Sequence, residues 1–263
     1  MACIRSLYFT RNAFDNAPHR ENSDIIVKRM VSAVERLEEL VVYCPFSVYG
    51  LASWLSLAGP SLSHLELRMD NLGDNEIIHE SPSKLDCIGA AVNVETLKLW
   101  GVLIKHIPKW EMFHNLRILE VVGARVEDAA VNAMIQACPN LTRLLLLGCE
   151  GVRSISINLP FLEQCKLDFY GLGNCSLSLT SPKIESLEVQ GCSWIRVPET
   201  KHLKNLSISN SAGSRMFEVI LVLSYFLLTF VFLLLSWNLL KSDCLCKLNF
   251  LSLLVNCLQG EYT

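Results

Sequence analysis

One apolar frame, Leu-x-x-Leu-x-Leu with conservative replacements, recurs along this chain and limits its fold more than any single residue does. It occurs as Leu37-xx-Leu40-x-Val42, Leu62-xx-Leu65-x-Leu67, Val94-xx-Leu97-x-Leu99 and Leu116-xx-Leu119-x-Val121. It returns as Leu141-xx-Leu144-x-Leu146, Val152-xx-Ile155-x-Ile157, Leu162-xx-Cys165-x-Leu167, Ile184-xx-Leu187-x-Val189 and Leu203-xx-Leu206-x-Ile208. The flank repeats too: Gly101-Val102, Gly123-Ala124, Gly148-Cys149 and Gly191-Cys192 stand two and three places after the last apolar position. A repeat of this kind sets the fold of the whole array ahead of any local propensity.

Within the frame, the last two apolar residues lie two apart and share one face of a strand, while the first stands at the turn entering it. Omitting the copy at Val152, the starts are separated by 25, 32, 22, 25, 21, 22 and 19 residues, with one insertion around 74–83. Such spacing matches the 20–29 residues of a leucine-rich repeat. No unit can bury its apolar edge alone, so neighbours stack into a solenoid with a parallel sheet. The copy at Val152 follows its predecessor by only 11 residues and predicts a tight turn there.

Two connectors read as helices. Residues 127–138 place Ala130, Val131, Met134, Ile135 and Cys138 on one apolar stripe, ended by Pro139. Residues 48–57 form a second, ended by Gly59-Pro60. Later connectors, such as 171–176, are too short and polar for a full helix, so the convex side is expected to pass from helical to irregular. The predicted class is α/β, a leucine-rich-repeat solenoid with a curved parallel sheet over residues 1–212.

Residues 213–263 are of a different kind. Residues 217–240 hold 19 apolar residues of 24, and 219–240 carry no charge. At about 1.5 Å per residue that stretch could span a bilayer as a C-terminal hydrophobic helix. Lysines or arginines flank both ends, which sets no orientation. Two origins stay open: a true membrane anchor, or sequence from outside the frame that encodes the repeats. A membrane location follows if the tail inserts, and a cytoplasmic or nuclear one otherwise.

Of 263 residues, 51% are hydrophobic and 19% charged, which excludes intrinsic disorder for most of the chain, and a net charge of -3 argues against a nucleic-acid binder. Eleven scattered cysteines without any CxxC read as buried free thiols in a reducing compartment. The N-terminus shows no secretory signal, so the three sequons at Asn140, Asn174 and Asn205 read as chance. The six histidines form no metal-binding spacing, and no nucleophile or phosphate-loop motif occurs. No enzyme activity and no cofactor are expected.

Phe113-His-Asn-Leu116-Arg-Ile-Leu119-Glu-Val121, then Ala137-Cys138-Pro139-Asn140-Leu141 and Leu146-Leu-Gly-Cys149-Glu-Gly-Val152, resemble the repeat region of plant F-box/LRR proteins. The helix-to-strand segment 25–42 and Trp54-Leu55 with Ala58-Gly59 are similar to the start of that region. The resemblance implies a substrate-recognition module in a ubiquitin-ligase setting. The F-box itself, which docks on a Skp-type adaptor, is not among the matched residues, so adaptor docking is not expected of this chain.

The usable surface of such a solenoid is its concave sheet face, reached by the residues that alternate with the apolar ones. The candidates for contacting a protein partner are Tyr43, Glu66, Arg68, Lys98, Trp100, Glu120, Arg143, Lys166, Asp168 and Glu188, with Trp100 and Tyr43 as anchors. Ile118, Val122, Leu145 and Leu147 fall on the same face. The competing reading is a solvated face whose charges pair across strands. A membrane-anchored repeat protein is the alternative architecture.

Overall fold

A computed structural model describes residues 4–11, 20–69, 83–170, 175–209 and 218–221. Strands and helices are numbered in chain order. The first sheet is parallel throughout its main path: β1 (Ser6–Phe9), β2 (Glu39–Val42), β3 (His64–Arg68), β4 (Thr96–Trp100), β6 (Ile118–Val122), β8 (Arg143–Glu150), β10 (Gln164–Tyr170), β12 (Ser186–Gln190) and β14 (Asn205–Ser209). Eight of the nine repeat copies supply strands β2 to β14 of this path in sequence order. Their register is the one the frame demands, with Leu40, Leu65, Leu97, Leu119, Leu144, Cys165, Leu187 and Leu206 aligned. Two short strands, β5 (Leu103–Ile104) and β7 (Arg125–Val126), add to its edge beside β8.

The flanking glycines have a backbone reason. Gly101, Gly123, Gly148 and Gly191 all have positive φ, between 62° and 85°. Each turns the chain out of its strand through the left-handed region that other residues enter at a cost. The next residue then drops back inside: Val102, Ala124, Cys149 and Cys192 are all buried.

Among the described residues, four helices cover the other side of the first repeats: α1 (Arg20–Ala33), α2 (Val48–Ala58), α3 (Lys84–Ile88) and α4 (Asp128–Gln136). Ser47 caps α2 by accepting the Gly50 N–H at 2.9 Å, and the helix buries Leu51, Trp54, Leu55 and Ala58. Asp24 ties α1 to this cap, because its carboxylate accepts the Ser47 N–H and its carbonyl accepts Trp54 Nε1–H at 3.1 Å. Ser83 and Asp86 close α3 with a reciprocal capping box. The expected helices over 48–57 and 127–138 are thus α2 and α4.

Three expectations are corrected. The late convex side is ordered rather than irregular: β9 (Ser154–Asn158), β11 (Cys175–Thr180), β13 (Cys192–Val197) and β15 (Glu218–Leu221) form a second parallel sheet. The copy at Val152 belongs there, as β9, and not to the first sheet. Its Ile155 and Ile157 face the same core as Leu177, Leu179, Ile195 and Val197. Each late coil therefore closes with a second strand in place of a helix.

The second correction is at the N-terminus, where β1 pairs with β2 ahead of the first counted copy. Ile4-xx-Leu7-x-Phe9 obeys the frame, although Ile4 stays 62% exposed where its counterparts are buried. The third concerns the expected C-terminal hydrophobic helix over 217–240. Glu218–Leu221 is a strand paired with β13, and 222–240 lie outside the described residues. Among the described residues, no helix is long and apolar enough to cross a membrane.

Side chains of α4 manage the junction between the helical and the two-sheet halves. The Asp128 carboxylate accepts the backbone N–H groups of Arg153 and Ser154, at 2.8 and 3.1 Å. Asn132 accepts the Ser156 N–H at 2.8 Å and donates to the Ser154 carbonyl at 3.2 Å. These bonds occupy the open edge of β9 as a neighbouring strand would.

Candidate partner-binding face

The frame decides what the first sheet displays. Because its apolar positions point inward, the residues between them form rows across the open face, with neighbours about 4.8 Å apart. The central row runs Tyr8, Val41, Glu66, Lys98, Glu120, Leu145, Lys166, Glu188 and Ser207, each aligned with the next. A second row contains Arg68, Trp100, Val122 and Leu147. All ten candidate residues lie on this sheet or, for Tyr43, immediately after β2. Arg143 and Lys166 are exposed, and the other eight are half-buried.

Glu66 is the hub of the early half. Its carboxylate accepts hydrogen bonds from the Tyr43 hydroxyl and from Trp100 Nε1–H, the latter at 2.9 Å, and Lys98 Nζ lies 3.6 Å away. Burial, then the bond to Glu66, pushes the Tyr43 hydroxyl pKa up to about 12, against the opposing charge of Arg68. Both aromatic rings are fixed before any partner arrives, which lowers the ordering cost of binding. At the edge, the Tyr8 hydroxyl bonds Glu39, and that bond is the first cause of its raised pKa.

The later half is built differently. Lys166 and Glu188 pair at 2.6 Å, and Arg143 Nε donates to Gln164 Oε1 at 2.7 Å. Between the two polar halves lies an aliphatic strip of Ile118, Val122, Leu145 and Leu147, each half-buried and on the open side. The ten candidates are charged residues with Tyr43 and Trp100, and they do not include this strip. The signal was present in residues 143–147, where four consecutive leucines must place two outward.

Beside the strip the ladder breaks. Leu167 pairs with Leu146, but Phe169 pairs with Cys149, so β8 carries one residue more than β10. Gly148, at φ 62°, accommodates this bulge. Asp168 faces the bulge, and its Oδ1 is shut from solvent with no hydrogen-bond donor. Among the described residues no group of three or more His, Cys, Asp or Glu side chains could hold a metal ion.

A stacked array of short parallel strands in a repeated Leu-x-x-Leu-x-Leu frame is a leucine-rich-repeat solenoid. Residues 51–190 match the family model described as FBD-associated F-box protein At5g56370, LRR repeats. The chain is also 60% identical over 210 residues to a curated relative, F-box protein At1g10780 from Arabidopsis thaliana, covering 80% of this chain and 50% of the relative. The chain therefore belongs to the leucine-rich-repeat region of this plant F-box protein family, and it spans about half the length of that relative. No solved structure matches it.

Proposed function

We propose that the chain is a non-catalytic protein-binding module that engages a polypeptide on the open face of its first sheet. In the F-box setting that its relatives' names suggest, this role is the recognition of a substrate for a ubiquitin ligase. The observation that supports it is the composition of that face. Two aromatic anchors are held rigid by Glu66, and next to them runs an aliphatic strip that a merely solvated sheet would not need. Aromatic and aliphatic groups set among charged ones are how protein-binding surfaces concentrate their energy.

A two-hybrid screen with the full chain tests this reading. Partners should be lost on Leu145→Asp, which places a charge in the strip, and kept on Ser178→Asp, on the outer side of the second sheet. Partners insensitive to Leu145→Asp would contradict it.

A further inference from the structure

We infer that the middle of the open face recognises a polypeptide segment that sets a Lys or Arg beside an aliphatic side chain, the aliphatic group on Leu145 and Leu147 and the cation on Asp168. This rests on the reading that the face binds protein, and it adds what chemistry the partner must have.

The charges on the face sort into satisfied and unsatisfied. Glu66 has three donors, Glu188 has Lys166 and Glu39 has Tyr8. Glu120 and Asp168 make no ion pair among the described residues. Asp168 is the more demanding, because its Oδ1 is shut from bulk solvent and has no protein donor among the described residues. A carboxylate held this way gains more from a cation at its open oxygen than a fully hydrated one does.

Placement supplies the rest. Leu145 and Leu147 sit on β8, between Glu120 on β6 and Asp168 on β10, so acids bracket the aliphatic strip. Adjacent strands are about 4.8 Å apart, so one extended segment laid on Leu147 brings a neighbouring basic side chain to Asp168. Lys166 stands beside Leu145, yet its charge is engaged by Glu188 at 2.6 Å. The cation is therefore steered to the far end of β10, where Gln190 aligns with Asp168 and the Tyr170 ring is 54% exposed. A guanidinium stacks readily on such a ring. One carboxylate without further oxygen ligands is no site for a hard metal ion, which leaves a partner's side chain as the donor.

The test is to pan a random linear-peptide phage library against the full chain and to titrate the selected peptides as synthetic ligands. The sequences should share an aliphatic residue close to Lys or Arg. Asp168→Asn, which keeps the shape, should weaken binding about tenfold or more. Changing the peptide's basic residue to Gln should cost the same and add little on top of Asp168→Asn. Peptides lost on Leu145→Asp but changed less than about twofold by Asp168→Asn would overturn the inference and leave the face as a binding surface. Peptides indifferent to Leu145→Asp, or no selected peptide at all, would overturn both.

Discussion

At the scale of single residues, the glycines that end the strands are not interchangeable. A Cβ on Gly191 would stand 2.2 Å from the Phe169 carbonyl oxygen, whereas one on Gly123 meets nothing within 4 Å. Gly123→Ala should therefore cost only the left-handed conformation, about 1–2 kcal/mol. Gly191→Ala carries that cost plus a backbone collision and should lower the thermal midpoint much further; equal shifts would contradict this. The buried thiols make a second prediction. Burial raises Cys44, Cys138 and Cys165 from the ordinary 9.0 to about 12 and Cys149 to about 11. Between those limits the native chain keeps protons that the unfolded chain has released, so stability falls as pH rises. The contribution is complete below pH 9.0 and is lost progressively toward about 12. Melting curves across that range should show the midpoint dropping, and a flat profile would contradict the burial. The burial of Cys149 and Cys165 was readable from their places in or just after the apolar frame, and that of Cys138 from the helical stripe. That Asp168 would lack a donor was not readable, because the β8 bulge depends on how two strands meet.

At the scale of elements, the junction at α4 is the most exposed to test. Asp128→Ala leaves the Arg153 and Ser154 N–H groups without their acceptor and should cost about 1–2 kcal/mol, with faster hydrogen exchange confined to β9 and β11. Uniform exchange across both sheets would show that the edge is not secured there. The helices α2 and α4 were legible because a stripe at helical spacing and a following Gly or Pro are local signals. The second sheet was not. Residues 154–158 and 175–180 alternate serine with aliphatic residues over only five or six positions, and nothing local says what they pair with. Parallel strands joined by long connections draw their pairing from neighbouring coils, so their layer is set by stacking rather than by the segment itself. The copy at Val152 matched the frame for the same reason: the second sheet also needs alternating apolar residues. β1 lay inside the frame as Ile4-xx-Leu7-x-Phe9, but an edge copy whose first apolar position is exposed carries less signal than an interior one.

At the scale of the whole molecule, the repeat makes one continuous core in which each coil is stabilised by its neighbours, and one continuous face for contact. A charge in the core at a middle coil should therefore disrupt both halves. Leu144→Asp and Leu146→Asp bury an unpaired carboxylate and should unfold the solenoid. Arg143→Asp, on the exposed side, should shift stability by less than about 1 kcal/mol. Equal loss of circular-dichroism signal in all three would mean that the strand register is wrong. The strand order of the first sheet and the outward placement of the ten residues on its open face followed from the frame, because an alternating strand with one buried side determines its other side. Which of those residues are already satisfied by one another did not follow, since Tyr43, Glu66 and Trp100 meet only across three separate coils. Binding to the open face is tested most directly by the affinity of a selected peptide for two folded variants, Leu145→Asp on that face and Ser178→Asp on the second sheet. Leu145→Asp should abolish binding while Ser178→Asp leaves it unchanged; binding that survives Leu145→Asp and fails with Ser178→Asp would place the functional surface on the opposite side.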